Sequence, residues 1–152
     1  MAARLAELLE EFEVRRFPEG TRTAEDAARA VGCRLGQIVK SLVFVAAGRP
    51  VVALVSGENR LDPQRLAELA GGPVAKADAG RTRESTGFAI GGVPPFGHAS
   101  VLPIYVDRDL LQFRVVWAAA GRPDAVFAIE PLRLLELCRG VVADLKSVGQ
   151  VA

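Results

Sequence analysis

Two apolar runs, residues 42–46 (Leu-Val-Phe-Val-Ala) and 51–55 (Val-Val-Ala-Leu-Val), stand close together across Gly48-Arg49-Pro50. Near-continuous apolar strands are the signature of burial on both faces, and two of them joined by a few turn residues form a hairpin. The rest of the chain has to be arranged around that hairpin. Leu5, Leu8, Leu9 and Phe12 recur at helical spacing over residues 4–12, and residues 13–17 alternate as a short strand. Pro18-Glu19-Gly20 turns the chain, Thr21 or Thr23 caps an alanine-rich helix over 24–31, and Gly32 ends it. Pro63 opens a helix running to Ala70, and residues 78–85 form a short helix closed by Gly87. Strands are expected over 101–106, 113–119 and 125–129, a helical turn over 107–111, and a last helix from Pro131 to near Gly140. Hairpin-length connections outnumber helical crossovers. The expected fold is therefore α+β, with a mixed, largely antiparallel sheet flanked by helices.

At 152 residues the chain has the length of one domain, expected to span 1–152, and buries about two-thirds of its unfolded surface. It needs neither metal nor disulfide to fold. A composition of 50% hydrophobic and 24% charged residues excludes a disordered chain, and a net charge of +1 excludes a strongly basic nucleic-acid coat. Cys33 and Cys138 lie far apart among apolar residues and read as small buried thiols in a reducing compartment. One histidine and two distant cysteines make no metal-ligand set, and no cofactor is expected. Met1-Ala2-Ala3-Arg4 leads into Glu7, Glu10 and Glu11, unlike a signal peptide, and no apolar run reaches the roughly 18–20 residues of a membrane helix. A cytoplasmic protein without a membrane partner is expected.

Two features stand out as chemistry. Lys40 lies among Ile38, Val39, Leu42 and Val43 at the entry to the first buried strand. A lysine there either snorkels to solvent or serves as a cation in a cleft, suited to a carbonyl, hydroxyl or phosphate oxygen. The second feature is Gly91-Gly92-Val93-Pro94-Pro95-Phe96-Gly97-His98. Tandem glycines clear the space above the backbone and tandem prolines stiffen it, so the segment is either a tight connection or a loop whose N–H groups face a ligand. It is neither a dinucleotide fingerprint nor a P-loop. His98, the only histidine, is either structural or a hydrogen-bond partner for a substrate in the same cleft. Gly-x-Ser-x-Gly is absent, which argues against a serine hydrolase. Arg81 and Arg83 precede the loop and could reach a phosphate at its rim. Asp107 and Asp109 read as caps, Glu58-Asn59-Arg60 as a solvated turn, and Trp117 as core.

Several phrases occur in a recognisable order. Ala27-Ala28-x-x-Val31-Gly32 precedes Ile38-Val39-Lys40-Ser41-Leu42-Val43-Phe44; then come Ala53-Leu54-Val55-x-Gly57, Arg60-Leu61-Asp62, Thr86-Gly87-Phe88, the Gly91–Gly97 loop, and Leu102-Pro103 before Asp107-x-x-Leu110. Over residues 20–145 the chain resembles the YbaK/prolyl-tRNA synthetase-associated domain, whose members include freestanding proteins that deacylate misacylated tRNA. The resemblance implies a compact α+β domain with a strongly curved, mixed central sheet. It implies that Lys40 is the pocket lysine and that Gly91 to Pro95 is the loop whose backbone faces the aminoacyl ester. His98 stands where several members carry a polar residue. Phe44, Thr86, Gly87, Val93, Pro94 and Pro95, with Arg81 and Arg83, are the implied substrate-binding positions.

The implied chemistry is hydrolysis of the ester joining a wrong, small amino acid (alanine or cysteine on tRNA-Pro) to the terminal adenosine, without a metal or a protein nucleophile. Lys40 and the amides of Gly91 and Gly92 would stabilise the oxyanion, with His98 orienting the water or ribose hydroxyl. The implied partners are the tRNA acceptor end and an aminoacyl-tRNA synthetase. Arg15, Arg16 and Arg22 join Arg81 and Arg83 as a local basic patch. The rival reading is a non-catalytic module that captures a tRNA end, a nucleotide or a synthetase.

Overall fold

The computed structural model describes residues 2–17 and 23–147. The expected turn at Pro18-Glu19-Gly20, Thr21 and Arg22 lie outside the described residues. In chain order the elements are α1 (Ala2–Leu9), β1 (Val14–Arg16), α2 (Ala24–Val31), β2 (Val39–Ala46), β3 (Arg49–Ser56), α3 (Pro63–Ala70), β4 (Val74–Lys76), α4 (Ala79–Thr86), β5 (Ile104–Asp107), β6 (Val116–Ala119), β7 (Ala125–Ile129), α5 (Pro131–Cys138) and β8 (Val141–Ala143). Short 3-10 helices cover Leu35–Gln37 and Arg108–Gln112.

The hairpin turns tighter than its sequence suggests. Val45 pairs with Pro50 and Ala46 with Arg49, so only Ala47 and Gly48 are left in the turn. Their φ values are 49° and 80°, the pair of positive angles that matches a two-residue turn to the twist of its strands. Both faces of β3 are covered. Val52 and Leu54 face a core with Val43, Val106, Leu110 and Phe127, while Val51, Ala53 and Val55 face one with Phe44, Leu61, Leu66 and Leu145. That double burial is why the run is apolar throughout.

The α+β class and the mixed pairing agree with expectation. β2 pairs antiparallel with β3 and β4, β7 with β1 and β6, and the parallel pairs are β3 with β5 and β5 with β8. The sheet is not continuous, however. Five strands run in the order β4-β2-β3-β5-β8 and three in the order β1-β7-β6, joined by a single bridge between Ile38 and Trp117. The three-residue strands β4 and β8 were not expected, being too short to show an alternation.

The division of the sheet creates an opening. Along the outer edge of β2, β6 packs nearby but bridges only at Ile38, and β4 pairs only with Phe44 to Ala46. Residues 40–43 of that edge belong to no strand ladder, and the Ala77 N–H donates to the Val43 carbonyl at 3.0 Å. Backbone groups of alternate strand residues point the same way, so those of Ser41 point, like the Val43 carbonyl, into the gap.

Candidate active site

A cavity of about 280 Å³ occupies that gap. Its floor is β2 from Val39 to Val43, and Trp117 and Ala119 of β6 form one side. Ala24 and Ala27 close a second side, held there by α2, whose Thr23 cap accepts from the Asp26 N–H at 3.0 Å. Ile90, Gly91 and Val93 form the third, facing Arg122 and Pro123. Walls of this kind, apolar with a few convergent polar groups, are those of a small-molecule site. Lys40, Lys76 and Arg122 line the cavity and no carboxylate does; Arg122 is neutralised by Asp124, which accepts from its Nε at 2.7 Å and its Nη2 at 3.0 Å, so the two lysines give the lining its positive charge.

Lys40 is half-buried, and its Nζ donates to the Asn59 carbonyl at 2.6 Å. One N–H of three is thereby used, leaving two for a ligand. Burial pushes its pKa down from the usual lysine range; Glu25 and Asp107 pull it back up, and Arg60 opposes them. Beside it, the Ser41 hydroxyl is buried and has no hydrogen-bond partner. An orphaned buried hydroxyl costs stability, and this one lies in the cavity lining. Ser41→Ala is therefore expected to be as stable as wild type or more so, by up to about 1 kcal/mol. Parallel thermal melts check this, and a large loss of stability would count against it.

The glycine–proline loop divides in two. Gly91, with φ of 90°, and Val93 line the cavity, and their N–H groups have no acceptor among the described residues. Gly92 is different. Its N–H donates to the Ala89 carbonyl at 2.9 Å, and a Cβ there would stand 3.0 Å from the Arg122 backbone. It is a close-packing position, which corrects its expected role as an oxyanion donor. Pro94 and Pro95 are buried behind the cavity rather than lining it.

His98 also requires correction. Its Nε2 lies 2.7 Å from the Pro94 carbonyl, and the ring is not among the cavity walls. The carbonyl can only accept, so Nε2 carries the proton, and the histidine clamps the loop. Burial holds its pKa below the usual histidine value. The folded chain thus resists a proton that the unfolded chain accepts below about pH 6.5, so stability falls as the pH drops from that value. His98→Gln is expected to flatten this acid-side loss, read as the difference in melting temperature between pH 7 and pH 5.

The remaining expected positions scatter. Phe44 shares the face of β2 that carries Lys40 but points into the second core with Leu61 and Leu66. Thr86 is fully buried; its hydroxyl donates to the Thr82 carbonyl at 2.8 Å and accepts from the Phe88 N–H at 3.0 Å, sealing the end of α4. The Arg81 guanidinium donates to the Gly48 carbonyl at 2.6 Å. Gly87 and Arg83 line a second, shallower groove that shares Arg122 and Pro123 with the cavity. Arg15 pairs with Glu13 and sits 5.0 Å over the Trp117 ring, and Arg16 pairs with Asp124. Trp117 is thus core and cavity wall at once. Ser41, Thr82 and Lys76 are walls that the sequence reading did not single out. Only Ser41 carried a signal, as a hydroxyl inside an apolar strand.

Asn59 is 4% exposed, not solvated as its turn suggested, and Asp107 is fully buried. Cys33 and Cys138 are free, and burial raises both thiols. Among the described residues no group of histidine, cysteine and carboxylate side chains could hold a metal, and no helix is long and apolar enough to cross a membrane.

With this geometry in hand, comparison with known proteins is decisive. A family model described as "Aminoacyl-tRNA editing domain" matches residues 18–137. The chain belongs to the aminoacyl-tRNA editing domain family. A solved structure titled "Crystal structure of a putative trans-editing enzyme for prolyl tRNA synthetase" superposes with a TM-score of 0.90 at 50% identity, covering 96% of each chain. The "Putative Cys-tRNA(Pro)/Cys-tRNA(Cys) deacylase EbsC" of Enterococcus faecalis is 30% identical over 131 residues, 85% of this chain and 80% of that one. "Uncharacterized protein YwhH" of Bacillus subtilis is 32% identical over 127 residues, 83% and 81% of the two chains.

Proposed function

We propose that this editing domain hydrolyses the ester of a mischarged aminoacyl-tRNA in the cavity between β2, α2 and the 90–93 loop. The observation that carries the reading is the shared placement of Lys40 and Gly91 around one apolar, cationic cavity in a chain of this family. The small acyl side chain packs against Ile38, Val43 and Val93. Its carbonyl oxygen meets the Lys40 ammonium and the Gly91 N–H. Water attacks the carbonyl carbon, the π electrons move to oxygen, and these two donors stabilise the oxyanion. Collapse restores the carbonyl and breaks the bond to the ribose oxygen, which leaves with a proton. The free neighbouring hydroxyl of the ribose is placed to pass that proton. Lys76 faces the phosphates of the acceptor end, beside an Arg122 already paired with Asp124. Selection operates by exclusion, because close walls reject a larger residue more strongly than contacts favour a smaller one.

The finer proposal is a freestanding editor of alanine or cysteine on tRNA-Pro, working beside the synthetase. A panel of tRNA-Pro charged with alanine, cysteine or proline tests it. Release of a small residue with proline spared supports the reading. Tight binding with no release across the panel replaces it with the capture module.

A further inference from the structure

Around Lys40 lies a buried polar cluster that oxyanion binding alone does not require. Asp107 Oδ1 accepts from the Asp109 N–H at 3.0 Å, an ordinary cap for the 3-10 helix that follows. A cap accounts for one oxygen and needs no burial. The other oxygen, Oδ2, accepts from the Ser56 N–H at 3.0 Å and from the Asn59 Nδ2 at 2.9 Å, both distant in sequence. The same Nδ2 donates to Asp109 Oδ2 at 2.8 Å, so the Asn59 carboxamide is clamped between two carboxylates. The residue's N–H is fixed as well, on the Ser56 carbonyl at 2.9 Å. With the carboxamide and the N–H both fixed, the main-chain carbonyl oxygen is held too, and that is the atom on which Lys40 rests.

We propose that Asn59 is a positioning residue for Lys40: its locked side chain fixes the carbonyl that aims the ammonium, and the buried Asp107 carboxylate behind it supplies the matching charge. Neither neighbouring chemistry would serve. Aspartate at 59 would bring a third carboxylate against two others, and alanine would leave Asp107 and Asp109 without their shared donor. The charged groups acting on Lys40 are Glu25 from α2, Asp107 at the end of β5 and Arg60 from the turn before α3, with Asp109 beside Asn59. Asp107 is the one linked to Lys40 through Asn59, whose carboxamide it holds and whose main-chain carbonyl accepts from the lysine. The proposal rests on the deacylase reading for its kinetic consequences, and on geometry alone for the state of the lysine.

The chain has only three lysines, Lys40, Lys76 and Lys146, so lysine labelled with 13C gives three Cε signals to follow against pH. In Asp107→Asn the Lys40 midpoint is expected to fall by about one pH unit, with Lys76 and Lys146 unmoved, and the alkaline limb of kcat/KM is expected to fall with it. In Asn59→Ala, which keeps the carbonyl but frees it, the Lys40 signal shifts at fixed pH and kcat drops about tenfold with little change in KM. Ser56→Ala is the control. It removes a buried hydrogen bond to the Gly36 carbonyl in the same turn but keeps the N–H on Asp107, so it lowers the melting temperature and leaves the Lys40 titration alone. An unchanged Lys40 signal in both Asn59→Ala and Asp107→Asn overturns the proposal, as does an equal movement in Ser56→Ala. The titration needs no substrate. If Lys40 moves as expected while no form of the protein releases amino acid, the deacylase reading fails and the positioning role stands.

Discussion

Lys40→Ala is expected to lower deacylation at pH 7 by about a hundredfold or more, the usual effect of removing one oxyanion donor, with a melting temperature close to wild type. The lysine is half-buried and its lost protein contact is a single backbone carbonyl, so stability has little reason to fall. In the proposed mechanism turnover falls, because the ammonium is the one full charge set beside the acyl oxygen. The active form is the protonated one. Burial, the largest influence, holds the Lys40 pKa below the usual value, so wild-type activity falls as pH rises through that lowered pKa, at less alkaline pH than an exposed lysine would give. Lys40→Ala retains no such limb. Lys40→Arg keeps the charge on a longer, planar group and recovers part of the rate. The measurement is kcat/KM across pH for the three proteins, and a Lys40→Ala rate within a few-fold of wild type excludes the mechanism.

Gly92→Ala is expected to have the second-largest effect, for a reason unrelated to donated hydrogen bonds. The added methyl would stand 3.0 Å from the Arg122 Cα and carbonyl carbon and 3.1 Å from Pro123 Cδ. Backbone and a proline ring cannot swing aside as a flexible side chain can. The loop and the 121–124 turn must separate, and both are cavity walls. Overpacking of this kind costs about 1–3 kcal/mol, and a displacement of the walls costs about ten- to a hundredfold in rate. Thermal melts and rates on one preparation check the pair. Full activity in Gly92→Ala would mean that the loop does not set the cavity's width.

The parts of this protein that were legible in its sequence are the local ones. The hairpin, the Thr23 cap and the proline that opens α3 each depend on residues a few positions apart, and each is present. The burial of Asn59 was not legible, because its cover comes from Asp107 and Asp109, about fifty positions along the chain. Periodicity assigns a side chain to a face but not to a neighbour, which is why Phe44 was placed with Lys40 although the two meet different surroundings. The sequence left His98 open between two roles for a related reason: its partner is the Pro94 carbonyl, and a backbone acceptor leaves no trace in residue type. The break between the sheets, which makes the cavity, hangs on where one edge of β2 loses its neighbours, and no single segment encodes that.

That break also bears on how such a protein changes over time. The floor of the cavity is pinned from its inner side by the full length of β3, while the walls arrive from a helix, a loop and a second sheet, each anchored elsewhere. A wall residue can therefore be exchanged without unsettling the strand that carries Lys40. Under the proposed function, the width of the cavity can be retuned one wall at a time while Lys40 stays in place.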